Sequence, residues 1–281
     1  MLHYDLTGRV VAITGATGGL GSALARELSA RGARLALLDL DEAAISRLAQ
    51  GFGGEQQAKG WRVDVRSYEH LQAAMGAAAA HFGRIDVVIA NAGIDEVSPM
   101  ATMNPDAFER VIDINLSGVW RTLKAGLPHV ARQRGYLMAI SSMAAFVHSP
   151  LQAHYTASKA GVWAMCDSVR LEVKHLGVGV GSVHPTFFRT PLMEQIHADA
   201  AGVKLWGGNK GGLWRMISRD EVVDGVIRGI ERRSDMVVLP AQNTLIAKAP
   251  GLFRKMAERL GFKSADIVEA IALAERELTL T

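Results

Sequence analysis

The sequence predicts an α/β fold, a parallel sheet with helices on both faces. Three observations lead there. Short β-branched or leucine-rich runs alternate with longer, alanine-rich stretches of helical period, the alternation repeats along most of the chain, and the short runs are apolar in the manner of strands buried on both sides.

The first strand is read over Arg9–Ile13 and the first helix over Leu20–Ala30. Then come a strand from Arg34 to Leu38 with a helix from Asp41, a strand from Trp61 to Val65 with a helix from Tyr68 to Phe82, and a strand from Ile85 to Ala90 with a helix from about Asp106. A fifth strand spans Gly135–Ser141 before a helix from about Tyr155, a sixth Val178–His184, and a seventh Met236–Leu239. No linker, repeat or low-complexity block divides the series, so residues 1–240 are read as one domain. Within it, 190–219 holds Gly202, Gly207, Gly208, Gly211 and Gly212 and reads as a mobile lid over a substrate pocket.

Residues 241–281 form a C-terminal extension. Ile246, Ala249, Leu252, Phe253, Met256 and Leu260 space as an apolar helical face, with Lys248, Arg254, Lys255 and Arg259 among them. The extension is expected to pack on the domain or a neighbouring subunit. A membrane surface is the less favoured reading, since Pro250 and Gly251 interrupt the face.

Composition narrows the function. Of 281 residues 49% are hydrophobic and 21% charged, which excludes a disordered chain. The net charge of +3 gives no global field for nucleic acid or anionic lipid. Cys166 is the one cysteine, so disulfide scaffolds and zinc ribbons drop out, and no metal site is expected. Residues 1–9 show no secretory pattern and no apolar run approaches the ~18–20 residues of a bilayer span. A cytoplasmic protein is expected.

Two constellations carry chemistry. Between the first strand and helix lies Thr14-Gly15-Ala16-Thr17-Gly18-Gly19-Leu20-Gly21. A turn this rich in glycine lets backbone approach a pyrophosphate, which the unpaired N–H groups of the next helix stabilise. No Gly-Lys-Ser/Thr follows, so a P-loop is excluded. Eighteen residues beyond Gly21, Asp39 ends the second strand, close to the ~20-residue offset of an acid that binds adenosine ribose hydroxyls and repels a 2′-phosphate. That combination favours NAD over NADP, with Asp41 the better candidate to cap the following helix. At the second constellation, Tyr155 and Lys159 share a helical face through their i, i+4 spacing, so an ammonium can draw the phenol pKa down from near 10.

Taken together, Thr-Gly-x-x-x-Gly-x-Gly at 14–21, Asn91-Ala92-Gly93, Ser142 thirteen residues before Tyr155, and Tyr155-x-x-x-Lys159 occur in the order of the short-chain dehydrogenase/reductase family, which residues 7–240 resemble. The resemblance implies a Rossmann-like, doubly wound sheet of seven parallel strands and nicotinamide-dependent oxidoreduction of a carbonyl or alcohol. It implies that Tyr155 is the general acid/base, that Ser142 orients the substrate oxygen, and that Lys159 lowers the tyrosine pKa and holds the nicotinamide ribose. Asn115 corresponds to a helix asparagine supporting a water-mediated proton relay; a purely structural role in a kinked helix stays open, as does Ser141 in place of Ser142.

By the same resemblance the cofactor meets Gly15, Thr17, Gly19, Leu20, Gly21 and Asp39, the adenine meets Asp64 and Val65, and Asn91, Ala92 and Gly93 border the adenosine. Pro185 and Thr190 keep the frame in which Thr190 reaches the carboxamide and the backbone near Phe188 fixes the nicotinamide face. Thr186 stands where the family commonly has glycine, which departs from the usual loop.

The resemblance places the substrate between Ile94-Asp95-Glu96, Ala144–Gln152, Phe187-Phe188 and the lid. Phe146, Val147, Leu151, Phe187, Phe188, Met193, Leu205, Trp206 and Trp214 make that region apolar, which suits a bulky hydrophobic ketone or secondary alcohol. His148 and His154 are read as wall or surface residues. A homodimer or homotetramer is expected through the helices near Asp106 and Tyr155, the latter carrying Val162, Trp163, Met165 and Val169. The alternative function is a non-catalytic, NAD-sensing regulator on the same fold; loss of Tyr155 or Lys159 would have favoured it. Isomerases or dehydratases that work through transient oxidation use a larger substrate domain than residues 241–281 provide.

Overall fold

In a computed structural model, residues 3–190, 193, 199–209 and 216–280 are described. The strands are β1 (Val10–Thr14), β2 (Arg34–Asp39), β3 (Ala58–Arg62), β4 (Val87–Ala90), β5 (Tyr136–Ile140), β6 (Gly179–Pro185) and β7 (Met236–Leu239). They form one parallel seven-stranded sheet in the order β3-β2-β1-β4-β5-β6-β7. Chain order reverses between β1 and β4, which opens a crevice at the carboxyl ends of the strands.

The helices are α1 (Gly19–Ala30), α2 (Glu42–Gln50), α3 (Tyr68–Phe82), α4 (Pro105–Ile112), α5 (Gly118–Arg132), α6 (Ala153–Val173), α7 (Ala200–Trp206), α8 (Arg219–Arg232), α9 (Thr244–Lys248), α10 (Pro250–Gly261) and α11 (Ser264–Leu280). Alternation along each strand divides the core in two. Val11 and Ile13 of β1 join Leu24, Leu28, Ile45, Ile227 and Ile230 on one face; Val10 and Ala12 join Leu71, Met75, Leu123 and Val162 on the other. A π-helical turn, Asp113–Ser117, joins α4 to α5.

β3 begins three residues before the apolar run at Trp61–Val65. As the edge strand it pairs only with β2, from Leu35 with Ala58 to Asp39 with Arg62, and most of its residues are half-exposed. Helix α2 packs closely over it at Gly60, where a Cβ would lie 2.1 Å from Ile45 Cγ2.

The extension packs on the domain in two places. Ala247 of α9 and Ala257 of α10 join Met143, Phe146 and Val238, while Ala270 and Ala274 of α11 join Leu205 and Trp206 of α7. Of the segment read as a lid, Thr190, Met193, α7, residues 207–209 and residues 216–219 are described; Leu192 and Trp214 lie outside the described residues. On α6, Val162 is buried and Trp163, Met165 and Val169 pack inside the chain, so the large apolar side chains that α4, α5 and α6 leave exposed are instead Phe108, Trp120 and Leu171. Among the described residues no helix is long and apolar enough to cross a membrane.

One buried carboxylate ties the amino ends of β1 and β4. Asp86 is fully buried and accepts from Val10 N (3.0 Å), Arg9 Nη1 (2.9 Å) and Arg84 Nε (2.8 Å). Asp86→Ala strands two guanidinium groups and a backbone donor, and is expected to cost roughly 3 kcal/mol of stability, read from the urea midpoint at unchanged slope. A loss below about 0.5 kcal/mol contradicts this role for Asp86.

Candidate active site

The strand ends and the turns that follow them enclose a cleft of about 740 Å³. At one end, the turn after β1 is drawn against β4 by glycine. Gly15 has φ +64°, and a Cβ on it would sit 2.8 Å from Ala92 Cα; one on Gly21 would sit 2.1 Å from Gly15 O. Gly21 therefore stands behind the wall and shapes it, while Gly15, Thr17, Gly19 and Leu20 line the cleft. Asn91 Nδ2 donates to Thr14 O and Gly15 O, both at 3.0 Å, and so clamps the turn to the end of β4. Helix α1 starts without a side-chain cap, which suits an anionic ligand at its first N–H groups.

Asp39 reaches back over this turn. Its Oδ2 accepts from Thr17 N (2.8 Å) and Thr17 Oγ1 (2.6 Å), and its Oδ1 from Leu40 N. Asp41 caps α2 by accepting from Ala44 N, as the sequence suggested, and Asp39 takes no part in that cap. Farther out, Asp64 and Arg66 line the cleft and pair at 2.6 Å, and the arginine holds the Asp64 carboxyl below the usual carboxylate range. Val65, Asn91, Ala92 and Gly93 complete this end. The glycine cradle, the uncapped helix start and the carboxylate beyond it fit a dinucleotide.

At the other end, α6 carries Tyr155 and Lys159 into the cleft, and the segment after β5 carries Ser142. Lys159 Nζ donates to Ile140 O (3.0 Å) and lies 5.4 Å from the centre of the Tyr155 ring. Ser141 Oγ instead donates to the backbone of Lys159 (2.9 Å). That leaves the Ser142 hydroxyl to accept from Ala144 N (3.1 Å) and to act on Tyr155.

Burial pulls the Lys159 ammonium down to about 8, against the attraction of Asp95. The tyrosine departs from the sequence expectation: burial, reinforced by the Asp95 charge, holds the phenol above its ordinary value, against the opposing effect of Ser142. The spacing argument counted the ammonium and omitted the desolvation that comes with placing both groups in a closed cleft.

Asn115 is not in the cleft wall. It sits fully buried in the π-helical turn, where Oδ1 accepts from Ile94 N (2.8 Å) and Nδ2 donates to Ile94 O (2.7 Å). It fastens the segment after β4 behind Lys159.

Pro185, Thr186, Phe188 and Thr190 line the cleft beyond β6. Thr186 N donates to Leu239 O (2.8 Å), and threonine is not among the residues with positive φ, so the missing glycine imposes no strain. Val147, Phe187, Met193 and Trp206 form an apolar wall with Ile94, Met143 and Ile246. Phe146, Leu151 and Leu205 are buried behind it rather than exposed to a substrate, and Glu96 does not line it.

Three features escaped the sequence reading. Asp95, expected only as wall, faces the cleft with its carboxyl pKa raised well above normal by burial, and it accepts from Gln152 Nε2 at 2.5 Å. The indole N–H of Trp206 is buried with no partner among the described residues. His184, in the middle of an apolar sheet, lies under Ser142. Its Nδ1 is 3.3 Å from Ser142 O, which can only accept, so Nδ1 carries the proton and Ser182 donates to Nε2 at 2.8 Å. Burial lowers its pKa to about 4, so the ring is neutral near pH 7. Ser182 and His184 at i, i+2 in an otherwise apolar strand were the available signal. His154 is buried and packs against Phe108 outside the cleft wall, and His148 does not line the cleft.

Comparison with known proteins agrees with this geometry. Residues 9–201 match the short chain dehydrogenase family. The chain is 35% identical over 194 residues to the oxidoreductase UcpA of Salmonella typhimurium, covering 68% of this chain and 73% of that one. It is 33% identical over 210 residues to the D-threitol dehydrogenase of Mycolicibacterium smegmatis, covering 74% and 77%. Its fold superposes with a TM-score of 0.75 on a short-chain type dehydrogenase/reductase from Mycobacterium marinum, at 27% identity over 83% of this chain and 94% of that one. The chain thus belongs to the short-chain dehydrogenase/reductase family and is an oxidoreductase of the NAD(P)-using kind.

Proposed function

We propose that the protein is an NAD-dependent dehydrogenase that interconverts a secondary alcohol and its ketone, with Tyr155 as general acid/base. The observation that carries this reading is convergence: Ser142, Tyr155 and Lys159 line the same cleft as the glycine turn and Asp39. A nicotinamide dinucleotide bound along that turn supplies the hydride exchange at the substrate carbon.

The chain's own groups manage the oxygen. The raised phenol of Tyr155 is protonated near pH 7 and can donate to a carbonyl oxygen; in the reverse direction the phenolate takes the hydroxyl proton. Ser142, fixed from below by His184 and by Ala144 N, offers a hydroxyl to the same oxygen. Lys159, with its pKa near 8, is mainly charged at neutral pH and favours the phenolate whenever Tyr155 gives up its proton.

Asp39 supports NAD over NADP. Its carboxylate would repel a 2′-phosphate, and Arg66, which lines the same cleft, is engaged by Asp64. The wall formed by Met143, Val147, Phe187, Met193 and Trp206 favours a substrate with an apolar body, and Asp95 with Gln152 gives that wall one polar landmark. The polyol named for the Mycolicibacterium relative leaves substrate size to experiment.

Reduced-nicotinamide absorbance with a graded set of secondary alcohols is expected to show turnover with NAD. Tyr155→Phe lowers that kcat by about 10²–10⁴-fold while nucleotide affinity stays within about threefold. Turnover that persists in Tyr155→Phe contradicts the acid/base role; nucleotide binding with no turnover on any alcohol favours the regulator. Asp39→Ala combined with Leu40→Arg is expected to move the ratio of kcat/KM from NAD towards NADP by on the order of tenfold or more. An unchanged preference removes Asp39 as the determinant.

A further inference from the structure

The outward side of α9 and α10 is unlike the rest of the surface. Leu252, Met256 and Leu260 follow one another at i, i+4 and i+8, and are 79%, 51% and 76% exposed. Leu245 of α9 is 62% exposed. Between them stand Lys248, Lys255 and Arg259, all exposed and none in an ion pair with a described residue. At 3.6 residues per turn, Leu252, Lys255, Met256, Arg259 and Leu260 fall within an arc of about 140°. Away from this arc, α10 is anchored in the fold by buried Ala257, which packs with Met143, Phe146 and Val238 and fixes the orientation.

Charge identifies what covers the face. Its exposed ionisable groups are cations; Glu258 of α10 is turned aside, 3.5 Å from Arg254. A second copy of the chain meeting it about a two-fold axis would oppose Lys255 and Arg259 to their own counterparts, a like-charge contact. A surface with an apolar interior and anionic groups above it satisfies both components at once, the leucines and methionine entering the boundary while the long basic side chains stay at headgroup level. The net charge of +3 obscures this segregation because it averages over the whole molecule.

We propose that the α9–α10 face docks the protein on an anionic lipid surface. The face starts at the rim of the cleft, for Asn243 and Ile246 line the cleft while Leu245 beside them points to solvent. Docked this way, the protein holds its cleft mouth close to the lipid. On the proposed dehydrogenase reading, apolar alcohols dissolved in that lipid then have a short path to Tyr155.

The test is sedimentation of the full chain with vesicles of phosphatidylcholine alone and of phosphatidylcholine with phosphatidylglycerol, at low and high salt, and it requires no turnover. The protein is expected to sediment with the anionic vesicles, to be released by salt, and to stay in solution with the neutral ones. Leu252→Ser with Met256→Ser and Leu260→Ser, and separately Lys255→Glu with Arg259→Glu, each reduce the bound fraction on the order of tenfold without lowering the melting temperature. Having two variants of opposite chemistry guards against one misfolding. No sedimentation with anionic vesicles overturns the proposal, as does sedimentation that neither variant weakens. A wild-type oligomer that the serine variant dissociates, with no affinity for vesicles, overturns it in favour of a subunit interface.

Discussion

Glycine at positions 15 and 21 decides how closely the first βα turn approaches β4, and the rest of the cleft is built on that approach. Any side chain at either position would occupy space held by Ala92 Cα or by Gly15 O. Because the turn lies so close, Asn91 can hydrogen-bond both Thr14 O and Gly15 O, and Asp39 can reach Thr17 from the neighbouring strand. The sheet order puts β1 and β4 side by side where the winding reverses, so the glycine turn stands at the crevice.

Across that crevice the catalytic end is governed by burial. Lys159 and Tyr155 are both taken out of water, which disfavours the charged form of each, and the Ile140 carbonyl and Asp95 compensate the lysine. The outcome is a lysine whose neutral and charged forms are close in free energy near physiological pH, beside a tyrosine held in its protonated form, ready to donate to a substrate oxygen. His184 and Asn115 act on this pair through others, one beneath Ser142 and the other behind Lys159 through Ile94.

The strands and helices of the wound core were legible because burial on both faces leaves continuous apolar runs, as in β1, β4 and β5. β3 starts earlier than its apolar run suggests because a half-exposed edge strand, Ala-Lys-Gly-Trp-Arg, carries no such run. The residues at the cleft were legible as spacings: all but Gly21 and Asn115 of those named from the motifs line it, and those two support it from behind. Asp95, Gln152 and His184 were not, because their meaning comes from contacts between segments far apart in sequence, with Asp95 and Gln152 separated by 57 positions. Nor could spacing reveal the direction of the tyrosine shift, which depends on enclosure by the whole site.

The account therefore rests on a lysine that is buried, bound to a carbonyl and titrating well below its ordinary range. NMR of the protein with isotope-labelled lysine, assigned by comparison with Lys159→Ala, reads this directly. The Lys159 ammonium is expected to lose its proton as pH rises through about 8, and Asp95→Asn to lower that midpoint further by removing an attractive charge. Because the unfolded lysine keeps its proton to about 10.4, the penalty for burying the charge is relieved, and stability rises, between those two pH values. A Lys159 midpoint near 10.4, unmoved by Asp95→Asn, contradicts the arrangement on which the proposed chemistry depends.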